Sequence, residues 1–183
     1  MSSVDRSRLP HSWREGCPVA VEDLRLLTLT YWGFDGQVHS GELVVHRDHA
    51  QNVLTAMKRV FDAGFVIERM LLVDAYEADD DRSMEANNTS AFNCREVEGS
   101  PGVWSQHAYG RAIDINPVQN PYISRSGKVS PPSGSRYANR SQDLPGMIHA
   151  RGPVVGAFSS VGWRWGGFWS NSKDYQHFSS TGR

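Results

Sequence analysis

The stretch WSQHAYGRAIDIN, residues 104–116, sets His107 and Asp114 seven residues apart with Gly110 between them. Seven residues fully extended span roughly 23 Å at about 3.3 Å each, too far for two side chains to meet. For the pair to act together the chain must double back, and Gly110 supplies the permissive backbone for that bend. Beyond it, GRAIDIN alternates as a strand does. Ile113 and Ile115 fall on one face; Ala112, Asp114 and Asn116 fall on the other. Asp114 is thus directed away from the apolar face. The plainer reading, a solvated loop histidine beside an aspartate that starts a turn before Asn116-Pro117, stands next to the metal-site reading.

A second segment adds to the first. VGWRWGGFWSNSKDYQHF, residues 161–178, reads as two short aromatic strands joined by a turn and carries Asp174 three residues before His177. Zinc takes histidine nitrogens and carboxylate oxygens at about 2.0–2.2 Å, and a catalytic site keeps one position for water. His107, Asp114 and His177 can supply three such donors. Asp174, on the same side of one helix-like turn as His177, then stands where a general base must be. The bland alternative makes Asp174 and His177 surface residues of a C-terminal strand.

Outward from these segments the chain is ordinary. Residues 1–20 are polar and irregular and read as an N-terminal arm, with residues 21–183 as one domain. Between Leu24 and His46, LLTLTYW and GELVVH form two strand-like runs around Asp35-Gly36, a hairpin signal. A helix follows, with Asp48 as N-cap, Gln51 completing a capping box, apolar residues from Ala50 to Phe61 at helical spacing, and Gly64 as the stop. FVIERMLLVDAY, residues 65–76, reads as a buried strand, and the polar run up to Gly102 as a loop. Residues 117–146 hold five prolines and no periodicity, the pattern of a long functional loop or groove wall. Pro153–Val161 reads as a short helix. His46 and His49 are expected to face solvent beside the helix cap, and Trp163, Trp165 and Trp169 to be mainly core and wall residues, with Trp165 also a candidate for the groove.

With 183 residues and a net charge of −1, the chain offers no electrostatic reason to bind nucleic acid or an anionic membrane. No run approaches the ~18 apolar residues that cross a bilayer, and the N-terminus lacks the apolar core of a secretory signal. Cys17 and Cys94 are either two unlinked thiols or one disulfide tying the arm to the middle of the chain.

SQHAYGRAIDI, residues 105–115, resembles the Ser-x-His-x-x-Gly-x-Ala-x-Asp-[Ile/Leu] motif of the zinc D-alanyl-D-alanine carboxypeptidase family. That family includes the vancomycin-resistance dipeptidases and phage L-alanyl-D-glutamate endopeptidases. GWRWGGFWSNSKDYQHF resembles the family's Gly-[aromatic]-x-Trp-Gly-Gly…Asp-x-x-His-Phe segment, and the two occur in the family's order; the likeness runs from about Asp74 to Phe178. It implies an α+β fold of hedgehog/DD-peptidase type, an antiparallel sheet with helices packed on one face and zinc (Zn2+) on the open face. It implies His107, Asp114 and His177 as ligands, Asp174 as general base and Ser105 beside the substrate. One departure is visible. Where many members carry an Arg after a Tyr on the preceding strand, this chain has Glu77, so Arg95, or else Arg82, must supply the charge.

The function implied is hydrolysis of a peptide bond in peptidoglycan stem peptides by a monomeric enzyme in the cell envelope or outside the cell. D-alanyl-D-alanine carboxypeptidase leads, with L-alanyl-D-glutamate endopeptidase as the alternative. A non-catalytic zinc-stabilised binding domain, or a wall-binding module built on aromatics, are the rivals of other classes. Asp174 speaks against the first, and sensitivity to chelators separates the second.

Overall fold

The computed structural model describes all 183 residues. Its elements in chain order are β1 (Ser2–Ser3), β2 (Leu24–Trp32), β3 (Val38–His46), α1 (Arg47–Asp62), α2 (Asp80–Glu85), β4 (Ala112–Asp114), β5 (Tyr122–Ile123), β6 (Val129–Ser130), α3 (Pro153–Ser159), β7 (Arg164–Trp165), β8 (Lys173–Asp174) and β9 (His177–Ser179). The architecture is mixed α+β. In place of one antiparallel sheet there are three small ones, ordered β1-β2-β3, β4-β9-β7 and β6-β5-β8. No helix is long and apolar enough to cross a membrane.

The β2–β3 hairpin forms because β2 alternates: Leu27, Leu29 and Tyr31 are buried while Thr28 and Thr30 are exposed. Its register runs from Leu24 opposite His46 to Trp32 opposite Val38, and Gly36 takes a positive φ in the connecting loop. α1 lays Ala50, Val53, Ala56, Met57 and Val60 into the core, where they meet Val154 and Phe158 of α3 and Ile113 and Phe178 of the β4–β9 pair. A smaller cluster gathers Val4, Leu9 and Val19 of the first twenty residues with Leu24, Val44, Phe92 and Cys94. The Cys17–Cys94 disulfide, with an S–S distance of 2.04 Å, fastens that layer.

Four expectations need correction. The cap of α1 is His46, not Asp48. The last residue of β3 stays extended and its Nδ1 accepts the Asp48 amide at 3.2 Å, so the helix begins earlier. Residues 65–76 form an extended segment ending in a 3-10 turn (Val73–Tyr76), not a strand. The segment makes only isolated bridges, Val66 with Trp32 and Arg69 with Asn88, and side chains take other amides: the Glu68 amide donates to Asn116 Oδ1 and the Leu71 amide to Asn88 Oδ1. The polar run after Tyr76 contains α2, capped by Asp79, whose carboxylate accepts from the Arg82 amide. Residues 117–146 are structured. They hold β5, β6 and a 3-10 turn (Pro132–Tyr137), knitted by Arg140, which donates to the carbonyls of Gln119, Tyr137 and Ile148 and stacks on Tyr175 at 4.3 Å.

Candidate metal centre

The bend read at Gly110 exists. Ser105 caps a short 3-10 turn, Gln106–Tyr109, its Oγ accepting from the His107 amide at 3.3 Å. Gly110 ends the turn at φ 65°, and its carbonyl accepts the His46 amide at 2.8 Å. A Cβ at this position would lie 2.5 Å from the His46 nitrogen, so only glycine permits so close an approach. The chain then reverses into β4.

Strand register supplies the next step. β4 pairs antiparallel with β9 so that Asp114 lies directly opposite His177. Two residues 63 apart in sequence thus become cross-strand neighbours, and the turn before β4 swings His107 over both. All three are buried, with 3–5% exposure, deep enough that unpaired polar atoms would be costly. His107 Nε2 is 3.2 Å from Asp114 Oδ2 and 3.3 Å from His177 Nδ1, and His177 Nδ1 is 2.9 Å from Asp114 Oδ1.

The outward ring nitrogens fix the chemistry of the inward ones. His107 Nδ1 donates to the Ala91 carbonyl at 2.6 Å, and His177 Nε2 donates to the Arg183 carbonyl at 3.1 Å. A carbonyl only accepts, so each outer nitrogen carries a hydrogen, and in the neutral rings both lone pairs then point inward, at each other and at a carboxylate. Three lone-pair donors facing one another need a proton or a cation between them. A divalent ion such as zinc, about 2.0–2.1 Å from each tetrahedral donor, sets neighbouring donors about 3.3 Å apart. The donor set and its spacing therefore fit a metal of this kind.

The electrostatics agree. Burial would raise the Asp114 pKa, but the charges and hydrogen bonds of His107 and His177 hold it far below the usual carboxylate range. Burial likewise works against a charged His177, yet the hydrogen bond and charge of Asp114, with the charge of Asp174, lift it to about 9. The cluster attracts positive charge strongly.

Asp174 lies at the end of β8 and His177 at the start of β9, so the two belong to different sheets instead of one helix-like turn. The chain between them brings Asp174 back toward the cluster. Gly166 makes room: a Cβ there would sit 2.7 Å from the Asp174 carbonyl oxygen. Asp174 is half-buried, and its Oδ1, shielded from solvent, has no hydrogen-bond partner. Desolvation pushes its pKa up to about 7, with Asp114 adding to the rise and His177, His107 and Arg95 opposing it.

Arg95 is held by Asp80 of α2 at 2.8 Å, while its buried Nε has no partner. Arg82 pairs with Glu77 at 2.9 Å on the surface, both side chains more than half exposed. Ser105 Oγ serves as the cap of the His107 turn. His46 and His49 do not face solvent as expected. His46 is buried, the two rings lie 6.1 Å apart, and Trp163 packs edge-on against His49. Trp165 is a core residue, and its Nε1 donates to the carbonyl of Tyr175, next to Asp174, at 2.8 Å. A cleft of about 740 Å³ between residues 63–66 and 140–154 includes none of the three donors. Sequence reading missed Asp80, the two outer carbonyls and Trp169, which packs on His177 at 5.5 Å. Only Asp80, a carboxylate at a helix start, left a trace in the sequence.

No curated protein and no solved structure matches the chain. Residues 98–180, which contain His107, Asp114, Asp174 and His177, match the family model described as D-alanyl-D-alanine carboxypeptidase, a match that supports the peptidase family for this part of the chain.

Proposed function

We propose that the protein is a zinc-dependent peptidase of bacterial peptidoglycan stem peptides, acting as a D-alanyl-D-alanine carboxypeptidase. The observation that carries the reading is the convergence of His107 Nε2, Asp114 and His177 Nδ1 beside a half-buried carboxylate with an unused oxygen, Asp174 Oδ1. When bound, the metal supplies Lewis acidity for the scissile carbonyl and for water. Asp174, with its pKa near 7, accepts a proton from the attacking water and returns it to the leaving amine. A structural zinc site has no use for such a group, which argues against a non-catalytic domain. The unpartnered Arg95 Nε is available to a substrate carboxylate or carbonyl oxygen. Ser105 then supports the substrate side of the site indirectly, by fixing the His107 turn.

One observation favours the endopeptidase alternative. Asp80 already neutralises much of the Arg95 charge, and a free terminal carboxylate needs that charge more than an internal amide does. The disulfide accords with work in the cell envelope or outside the cell. A single peptidase domain after residue 20, acting as a monomer, completes the proposal.

The test is digestion of purified peptidoglycan by the zinc-loaded protein, with products identified by mass spectrometry. Release of free D-alanine supports the carboxypeptidase, and cleavage between L-alanine and D-glutamate supports the alternative. If no fragment is released, the enzyme reading fails.

A further inference from the structure

A neutral imidazole carries one hydrogen, and its position decides whether His177 can bind a metal at all. With the hydrogen on Nδ1, the ring would donate to Asp114 at 2.9 Å and offer no lone pair to an ion. With it on Nε2, Nδ1 is free. The Asp114 carboxylate favours the first form, and the acceptor that favours the second is the Arg183 carbonyl, 3.1 Å from Nε2. For His107 the corresponding acceptor is the Ala91 carbonyl, in a segment wedged into the core. The Arg183 carbonyl belongs to no strand or helix, so something else must hold it.

Three contacts do so. The Gly182 amide donates to Ser179 Oγ at 3.0 Å, the Ser180 amide donates to the Arg111 carbonyl at 3.1 Å, and Trp169 Nε1 donates to the Gly182 carbonyl at 2.9 Å. Gly182 turns the chain at φ 82°, and a Cβ there would meet the Arg164 side chain at 2.8 Å. Of the three, the Trp169 contact is the one made by a side chain that also covers the ligand, its ring centroid lying 5.5 Å from that of His177.

We infer that Trp169 is a positioning residue of the metal centre: it anchors Gly182 so that the Arg183 carbonyl holds the Nε2–H form of His177. This rests on the proposed role of His177 as a metal ligand. Residues that orient metal-bound imidazoles from outside typically change metal affinity 10–100-fold when removed. Trp169→Phe keeps an aromatic ring over His177 while removing the N–H, and a chain shortened by residues 182–183, which keeps Trp169 whole, separates anchoring from packing.

Zinc affinity would be measured by chelator competition for the wild type, Trp169→Phe, a chain lacking residues 182–183, and the combination. The His177 ring N–H would be followed by proton–nitrogen NMR of the zinc-loaded proteins. Trp169→Phe is expected to weaken zinc binding about 10–100-fold and to speed exchange of the His177 Nε2 proton. The shortened chain should behave alike, and the combination should add little to either, because both act through one carbonyl. Trp169→Phe binding zinc as the wild type does, or an additive combination, would overturn the inference while leaving the metal centre intact. A wild type that binds no zinc would overturn both. Should Trp169→Phe fail to fold, the shortened chain alone decides, since unchanged affinity and ring N–H exchange there would refute the anchoring role.

Discussion

Asp174→Asn separates stability from catalysis at a single atom. Asp174 is half-buried with Oδ1 shielded and unpaired, and desolvation pushes its pKa from the ordinary carboxylate value near 3.8 up to about 7. A raised folded-state pKa means that the folded protein holds the proton more tightly than the unfolded chain. The resulting stability is present in full below about pH 3.8, declines as the pH rises, and is gone by about pH 7. About three pKa units at about 1.4 kcal/mol each make the ionised group cost roughly 4 kcal/mol. The neutral amide avoids that cost. In metal-free protein, Asp174→Asn is therefore expected to be more stable than the wild type by about 4 kcal/mol near pH 8, and by less than about 1 kcal/mol near pH 4. In urea unfolding the gain near pH 8 corresponds to a midpoint shift of about 2 M. The same variant should retain zinc while losing about 10²–10⁴-fold in hydrolysis. Equal stability of the two proteins near pH 8 would refute the burial argument, and unchanged activity would refute the base.

Three further outcomes follow from the geometry. Because Asp114 lifts the His177 pKa to about 9, a proton competes for the site, and zinc affinity by chelator competition should fall about tenfold per pH unit below that value. Gly110→Ala forces a Cβ to 2.5 Å from the His46 nitrogen at φ 65°, and should cost at least about 1–3 kcal/mol in thermal unfolding and lower zinc content by displacing His107. Cys17→Ser with Cys94→Ser opens a link of sequence separation 77, worth up to about 4.5 kcal/mol by chain entropy, and should lower the melting temperature.

Those parts of the site that depend on residue type and short spacing were legible in the sequence. Gly110 had to bend the chain because His107 and Asp114 could not otherwise meet, and the period-two pattern of GRAIDIN marked β4. The β2–β3 hairpin and most of α1 followed from the same periodicities. Where polar side chains take over the backbone's hydrogen bonds, periodicity carries no signal. Residues 65–76 make only isolated bridges, to Trp32 and Asn88, and the Asn116 and Asn88 side chains accept from two of their amides, so the apolar run read as a strand longer than any that forms. Arg140 orders residues 117–146 through three carbonyls with no apolar pattern at all. The partner of Cys17, the ion pair of Arg95 and the register of β4 against β9 are long-range facts, set by packing that no local window contains.

That register also explains why the cluster is both tightly built and responsive to pH. Antiparallel pairing fixes Asp114 opposite His177, so backbone hydrogen bonds help to offset the cost of gathering buried donors. A proton on His177 offsets part of that cost, and this stabilisation is present below the ordinary histidine pKa of 6.5 and lost as the pH rises through about 9. A divalent metal satisfies the same lone pairs without a proton, and its advantage grows over the interval in which the proton's fades. Proton and divalent metal would then be alternative occupants of one cluster of donors. The half-buried Asp174 gives the cluster a second titrating group, with its pKa near 7, and hence a means of moving protons in the range where metal displaces them.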